Sequence, residues 1–147
     1  RLKTCIGRLP RSLIPPSTHY RLLAHINEVA EAGLMLADFA YSHWPDEWTK
    51  KLDRQELLQI LLLHDLDKYL LLSDESLEMS IAHGTLSAMI LNDLGFDSRV
   101  IEAVASHSPS ASLHLDDPAS MILHYCDLFS CDHIYMLVSR TPHYCMK

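Results

Sequence analysis

From Leu22 onward apolar residues return every three or four positions, giving a stripe of Leu22, His25, Val29, Ala32, Leu36 and Ala40. The spacing predicts a helix capped by Ser17 or Thr18 and running to about Tyr41, with His25 turned inward. Trp44-Pro45-Asp46 breaks it, because proline cannot continue a helix. Asp53 and Glu56 form a capping-box-like start for a second helix, which climbs through Leu57-Leu58-Gln59-Ile60-Leu61-Leu62-Leu63 to His64. Ser73-Asp74-Glu75-Ser76 is polar and reads as a loop. A third helix is expected from about Met79 to Leu94, with Gly95 where a left-handed cap would stand. A fourth starts at Asp97 or Ser98, carries Val100, Ile101, Val104 and Ala105 before His107, and ends at Ser108-Pro109-Ser110. Asp117, with Pro118 at the first helical position, opens a fifth that runs past Asp127 to about Val138. No period-two alternation of any length occurs, so the fold class is all-α, a bundle of five or more helices. Residues 1–16, with three prolines and scattered basic residues, read as an irregular lead-in to a single domain over 17–147.

Composition narrows the function classes. A chain of 147 residues buries roughly two thirds of its unfolded surface as one domain. With 48% hydrophobic and 21% charged residues the balance is that of a globular protein, not a disordered one. A net charge of −7 argues against a nucleic-acid-binding face, although bound cations can supply positive charge locally. No apolar stretch reaches the ~20 residues that cross a bilayer. No signal peptide is visible, and the start at Arg1 leaves room for an upstream segment; a cytoplasmic location is expected. The cysteines Cys5, Cys126, Cys131 and Cys145 contain no Cys-x-x-Cys pair. Cys126 and Cys131 would fall on different sides of a helix, so reduced thiols of little consequence are expected. Ten histidines is a high count; His19, His43, His114, His133 and His143 sit near helix ends or loops and read as surface residues.

The candidate chemistry lies where the leucine run stops. His64-Asp65, followed at once by Asp67 and Lys68, places two metal-binding side chains at the end of a buried helix. Adjacent residues point in different directions around a helix, so such a pair grips one ion only where the helix ends or bends. Imidazole with carboxylate suits Fe, Mn or Zn better than Ca, which takes oxygen alone. His25, His83, His107 and Asp127 lie on or beside other helices. Each also has a bland reading. An inward His25 can be a hydrogen-bonded core residue, His83 beside Gly84 a helix start, and His107 a cap favoured by the helix dipole. Asp127 among Tyr125, Cys126 and Leu128 is the hardest to explain blandly, since a carboxylate amid apolar neighbours is costly unless paired or metal-bound. His124 is read as structural. Asp67 reads as a solvated helix-end carboxylate in preference to a group that orients a ligand histidine or water.

In order, His25, His64-Asp65, His83, His107 and Asp127 resemble the His…His-Asp…Asp pattern of the HD superfamily of metal-dependent phosphohydrolases, from about Tyr20 to Asp132. Within it the chain is similar to the small bacterial two-metal hydrolases that cleave diadenosine tetraphosphate symmetrically. It departs at Asp67, where many members carry glycine or alanine, and after His107, where a glycine and an arginine are missing. The resemblance implies an HD-type helical bundle that binds one or two divalent metal ions, Fe, Mn, Co or Zn, with Mg also admissible. His25, His64, Asp65 and Asp127 would hold the first ion, and Asp65 would bridge to a second completed by His83 and His107. Asp65 and Lys68 would be catalytic, with Lys68 and Arg21 meeting the substrate. The implied reaction is attack of a metal-bound hydroxide on a phosphoester or phosphoanhydride of a small, nucleotide-like substrate. Neither nucleic acid nor a membrane is an expected partner; a homodimer is compatible with the leucine-rich helix surfaces. Two alternatives share the ligand set: a di-iron HD-fold oxygenase, and a non-catalytic metal-binding signalling module.

Overall fold

A computed structural model describes residues 18–44, 46, 49–68, 84–107 and 117–137, apart from the side chains of residues 18–21, 132 and 134–137. The expected lead-in over 1–16, the loop at 73–76 and the Ser108-Pro109-Ser110 stop lie outside these residues. The third helix, expected from about Met79, starts only at Thr85, because Gly84 ahead of it takes φ +87°. Among the described residues there are five α-helices and no strand: α1 Thr18–His43, α2 Arg54–Leu63, α3 Thr85–Asp93, α4 Ser98–Ser106 and α5 Pro118–Leu137. A short 3-10 helix, Thr49–Lys51, joins α1 to α2.

Local chemistry accounts for the boundaries. The Asp53 carboxylate accepts the Glu56 backbone N–H at 2.8 Å and starts α2. Asp97 does the same for α4 through the Arg99 N–H at 2.9 Å. Asp117 accepts the Ser120 N–H at 2.8 Å ahead of Pro118 in α5. Gly95, at φ +78°, ends α3: its N–H reaches the Asn92 carbonyl and the Phe96 N–H reaches back to Leu91.

The helix α2 is central, touching α1, α4 and α5, while α1 also lies along α5 and α3 packs on α4. The core is Val29 and Ala37 of α1, Leu57, Ile60 and Leu61 of α2, Leu91, Val100, Ala103 and Val104 of α3 and α4, and Ile122 and Leu123 of α5. Half of the leucine run therefore faces inward; Leu58 and Leu62 lie on the outer side.

One part of the expected stripe on α1 is displaced. Leu36 is exposed and Ala32 only partly buried, whereas Ala37 and Ala40 are buried. The cause is the approach of α2. A Cβ at Gly33 would lie 2.6 Å from Leu61 Cδ1 and 2.7 Å from Cδ2, so the contact line runs along the smallest residues and the larger Leu36 falls beside it.

That approach is testable. Gly33→Val would force Leu61 or the helix axis to move and cost about 1–3 kcal/mol. Thermal unfolding should show a midpoint roughly 3–10 °C below the parent; an unchanged midpoint would mean that α1 and α2 are not held this closely.

Candidate metal centre

Four helices deliver the site. His25 comes from the middle of α1, His64 from the C-terminal cap of α2, Asp65 from the turn just beyond it, His107 from the C-terminal cap of α4 and Asp127 from α5. All five are buried, Asp127 the least so at 6% exposure.

The two cap histidines use one device. The last turn of a helix leaves carbonyls without a partner. His64 Nδ1 donates to the Leu61 carbonyl at 2.8 Å, and His107 Nδ1 donates to the Val104 carbonyl at 2.6 Å. A carbonyl only accepts, so the proton is fixed on Nδ1 and Nε2 is left to face the centre. The bland reading of His107 as a cap is thus correct as local structure, and capping is what aims its other nitrogen.

Around the centre, His25 Nε2 lies 3.2 Å from Asp65 Oδ2, 3.2 Å from Asp127 Oδ1 and 3.4 Å from His64 Nε2. His64 Nε2 is 3.3 Å from Asp65 Oδ2 and 3.9 Å from Asp127 Oδ1. Ligands about 2.1 Å from one ion are roughly 3.0–3.4 Å from each other in octahedral or tetrahedral geometry. His25, His64 and Asp65 meet that spacing, and Asp127 meets it against His25. This donor set fits a divalent transition ion. The two oxygens of Asp65 face different neighbours: Oδ2 the pair His25 and His64, Oδ1 the His107 Nε2 at 3.7 Å.

Electrostatics follow from this crowding. Burial alone would depress the His25 imidazolium, but hydrogen bonds to Asp127 and Asp65 outweigh it and raise its pKa to about 9. Burial would raise the Asp65 carboxyl; the positive fields of His64 and Lys68 and the neighbouring imidazoles of His107 and His25 hold it well below the usual range. Asp127 is held low in the same way, against burial, chiefly by its hydrogen bond with His25. Burial lowers His107.

Lys68 is buried, and its ammonium is paired with Asp65 Oδ2. Its charge therefore sits at the edge of the ligand cluster. His83 lies outside the described residues, as does the side chain of Arg21, whose backbone is in α1 one turn before His25.

Two expectations are corrected. Asp67 is fully buried, not solvated: its Oδ1 accepts the Ser87 hydroxyl at 3.0 Å, and its own N–H donates to Ser87 Oγ at 2.8 Å. Its Oδ2 accepts the Gly84 N–H at 3.4 Å. Asp67 thereby ties the segment after the His-Asp pair to the start of α3. Gly84 needs to be glycine: its φ is +87°, and a Cβ would stand 2.8 Å from the Val104 carbonyl and 3.1 Å from the His107 ring. The second correction concerns sulfur. Cys131 is disulfide-bonded, to a partner outside the described residues, so it is not the expected reduced thiol. Its Sγ lies 3.6 Å from Asp127 Oδ1, but a disulfide sulfur has no thiolate to offer an ion. Cys126 is a free, buried thiol whose pKa burial raises to about 11.

Sequence reasoning missed Ser87, Ser130 and Glu28. Ser130 meets His25 Nδ1 at 2.9 Å and stands three residues after Asp127 on one face of α5, a spacing that was open to notice.

No described helix is long and apolar enough to cross a membrane. The family model described as HD domain matches residues 22–131 of the chain. No curated protein and no solved structure matches it.

The metal-free protein should show a pH optimum of stability. His25, raised from 6.5 to about 9 in the fold, stabilises fully below pH 6.5 and loses that contribution as pH climbs through 9. Asp65 and Asp127, depressed from 3.8, stabilise above that value and lose the contribution as pH falls below it. His107, lowered from 6.5 by burial, costs stability as pH falls below 6.5, so melting curves in excess chelator should peak near pH 6.5 and decline on both sides. A midpoint unchanged from pH 6.5 to 9 would contradict the His25 assignment.

Proposed function

The chain belongs to the HD-domain family, and from that premise we propose that it is a metal-dependent phosphohydrolase acting on a small nucleotide-like phosphoester or phosphoanhydride. The observation that carries this reading is the division of Asp65, one oxygen toward His25 and His64 and the other toward His107. A carboxylate placed so can serve two adjacent cations, the second completed by His83. Substrates of the diadenosine tetraphosphate type belong to this proposal.

His25, His64, Asp65 and Asp127 hold the first ion. Four neutral imidazoles and two carboxylates would leave much of the charge of two divalent ions uncancelled, which would draw phosphate into an otherwise acidic protein. Bound ions supply activation of a water and stabilisation of charge on the phosphoryl oxygens. Asp65 orients both positions, and burial keeps bulk water from competing for the ligands. Lys68 balances Asp65 at the rim of the cluster and meets the substrate phosphate there as a point charge. Arg21, on the same helix as His25, is assigned to the remainder of the substrate. A cytoplasmic location and a homodimer are part of the proposal.

The test is phosphate release from a panel of mono-, di- and dinucleoside polyphosphates with added Mn, Fe or Co. His64→Ala and Asp65→Ala should each abolish both metal uptake and turnover. Lys68→Met should retain metal and lose about 10²–10³-fold in kcat, the usual cost of removing one charge-stabilising donor. Turnover surviving in Asp65→Ala would sink the mechanism. Dioxygen consumption with an iron-dependent EPR signal and no phosphate release would assign the site to oxygenase chemistry instead.

A further inference from the structure

His25 differs from the other two histidines of the centre. His64 and His107 stand at helix ends, where spare carbonyls fix their tautomer. His25 lies inside α1, where main-chain carbonyls are taken up by the helix itself. It needs an acceptor from a side chain, and α5 provides one. His25 Nδ1 lies 2.9 Å from Ser130 Oγ, and Ser130 is completely buried.

A hydroxyl can either donate to or accept from an imidazole, so serine alone would leave the direction open. Glu28, one turn after His25 on α1, closes the choice. The Ser130 hydroxyl donates to Glu28 Oε2 at 2.5 Å, and a carboxylate only accepts. With its one proton committed to Glu28, Ser130 Oγ can only accept from His25 Nδ1–H. The second oxygen of Glu28, Oε1, accepts from His133 Nδ1 at 2.5 Å, which holds the carboxylate in place at the surface end.

We propose that Glu28 and Ser130 are positioning residues, forming a carboxylate–hydroxyl–imidazole relay that fixes His25 with Nε2 turned toward the ion. The inference rests on the reading of His25 as a metal ligand. Neither Glu28 nor Ser130 touches the ion; both act through the ring. The relay also polarises His25, since a carboxylate pulling on the serine proton makes its oxygen a better acceptor and the imidazole a stronger donor to metal.

The experiment measures the affinity of Zn2+ alone, by competition calorimetry, in the full chain and in Ser130→Ala, Glu28→Ala and the double variant. Each single variant should bind Zn2+ about 10–100-fold more weakly, the usual cost of losing an outer partner of a ligand histidine. The double variant should be no weaker than Ser130→Ala, because the two residues act in series. Additive losses would overturn the relay, as would affinity within twofold of the parent in either single variant. Glu28 is partly exposed, so Glu28→Ala decides the matter alone if Ser130→Ala does not fold. A second readout is the His25 Nδ1–H proton resonance: slow to exchange in the parent, it should exchange fast in Ser130→Ala. It is read in the metal-free protein too. Failure of the parent to bind Zn2+ would therefore count against the metal centre, while a slow His25 proton in Ser130→Ala would count against the relay.

Discussion

A carboxylate with no exposure to solvent sits where three helices meet, and the fold cannot keep it there uncompensated. Isolated, such a charge would either take up a proton or unfold its surroundings. Asp65 is instead ringed by His25, His64 and His107 and paired with Lys68. His64 and Lys68 are near neighbours of Asp65 in the chain, while His25 and His107 arrive from other helices, so the charge acts as a point to which those helices are registered. Breaking any partner leaves the remainder overcharged or undercharged in a dry interior.

Much of this was legible from residue spacing. Helix starts at Asp53, Asp97 and Asp117 and the stop at Gly95 follow from local side-chain chemistry, which acts over four residues and leaves a local signature. The abrupt change from leucines to His64-Asp65 marked the centre, because apolar packing gives no reason for it. What stayed hidden depended on distance between helices. The Gly33–Leu61 contact shifted the buried face of α1 away from Leu36, and nothing within α1 announces how closely α2 comes. Asp67 looked like a solvated residue because its partners, Ser87 and Gly84, lie about twenty and seventeen positions further on. The Cys131 disulfide was hidden because none of the four cysteines forms a Cys-x-x-Cys pair.

The residues behind the candidate ligands make specific contacts of their own. Two carbonyls at helix ends, one serine and one glycine decide where the three imidazoles point. Gly84 is part of that layer through what it lacks: without a side chain, the start of α3 can rest against the His107 ring while Asp67 holds it from the other side. Rigidity of this kind is what a site needs if an ion is to be gripped without rearrangement, since ligand rings free to rotate would lose affinity to their own entropy.

The pairing of Lys68 with Asp65 bears on the order of events in the life of the chain. Small metallodomains that bury ligands without any internal counterion stay unfolded until an ion arrives. Here an ammonium from the next turn already compensates the buried Asp65 carboxylate, so the charge at the centre does not by itself oblige the bundle to wait for an ion.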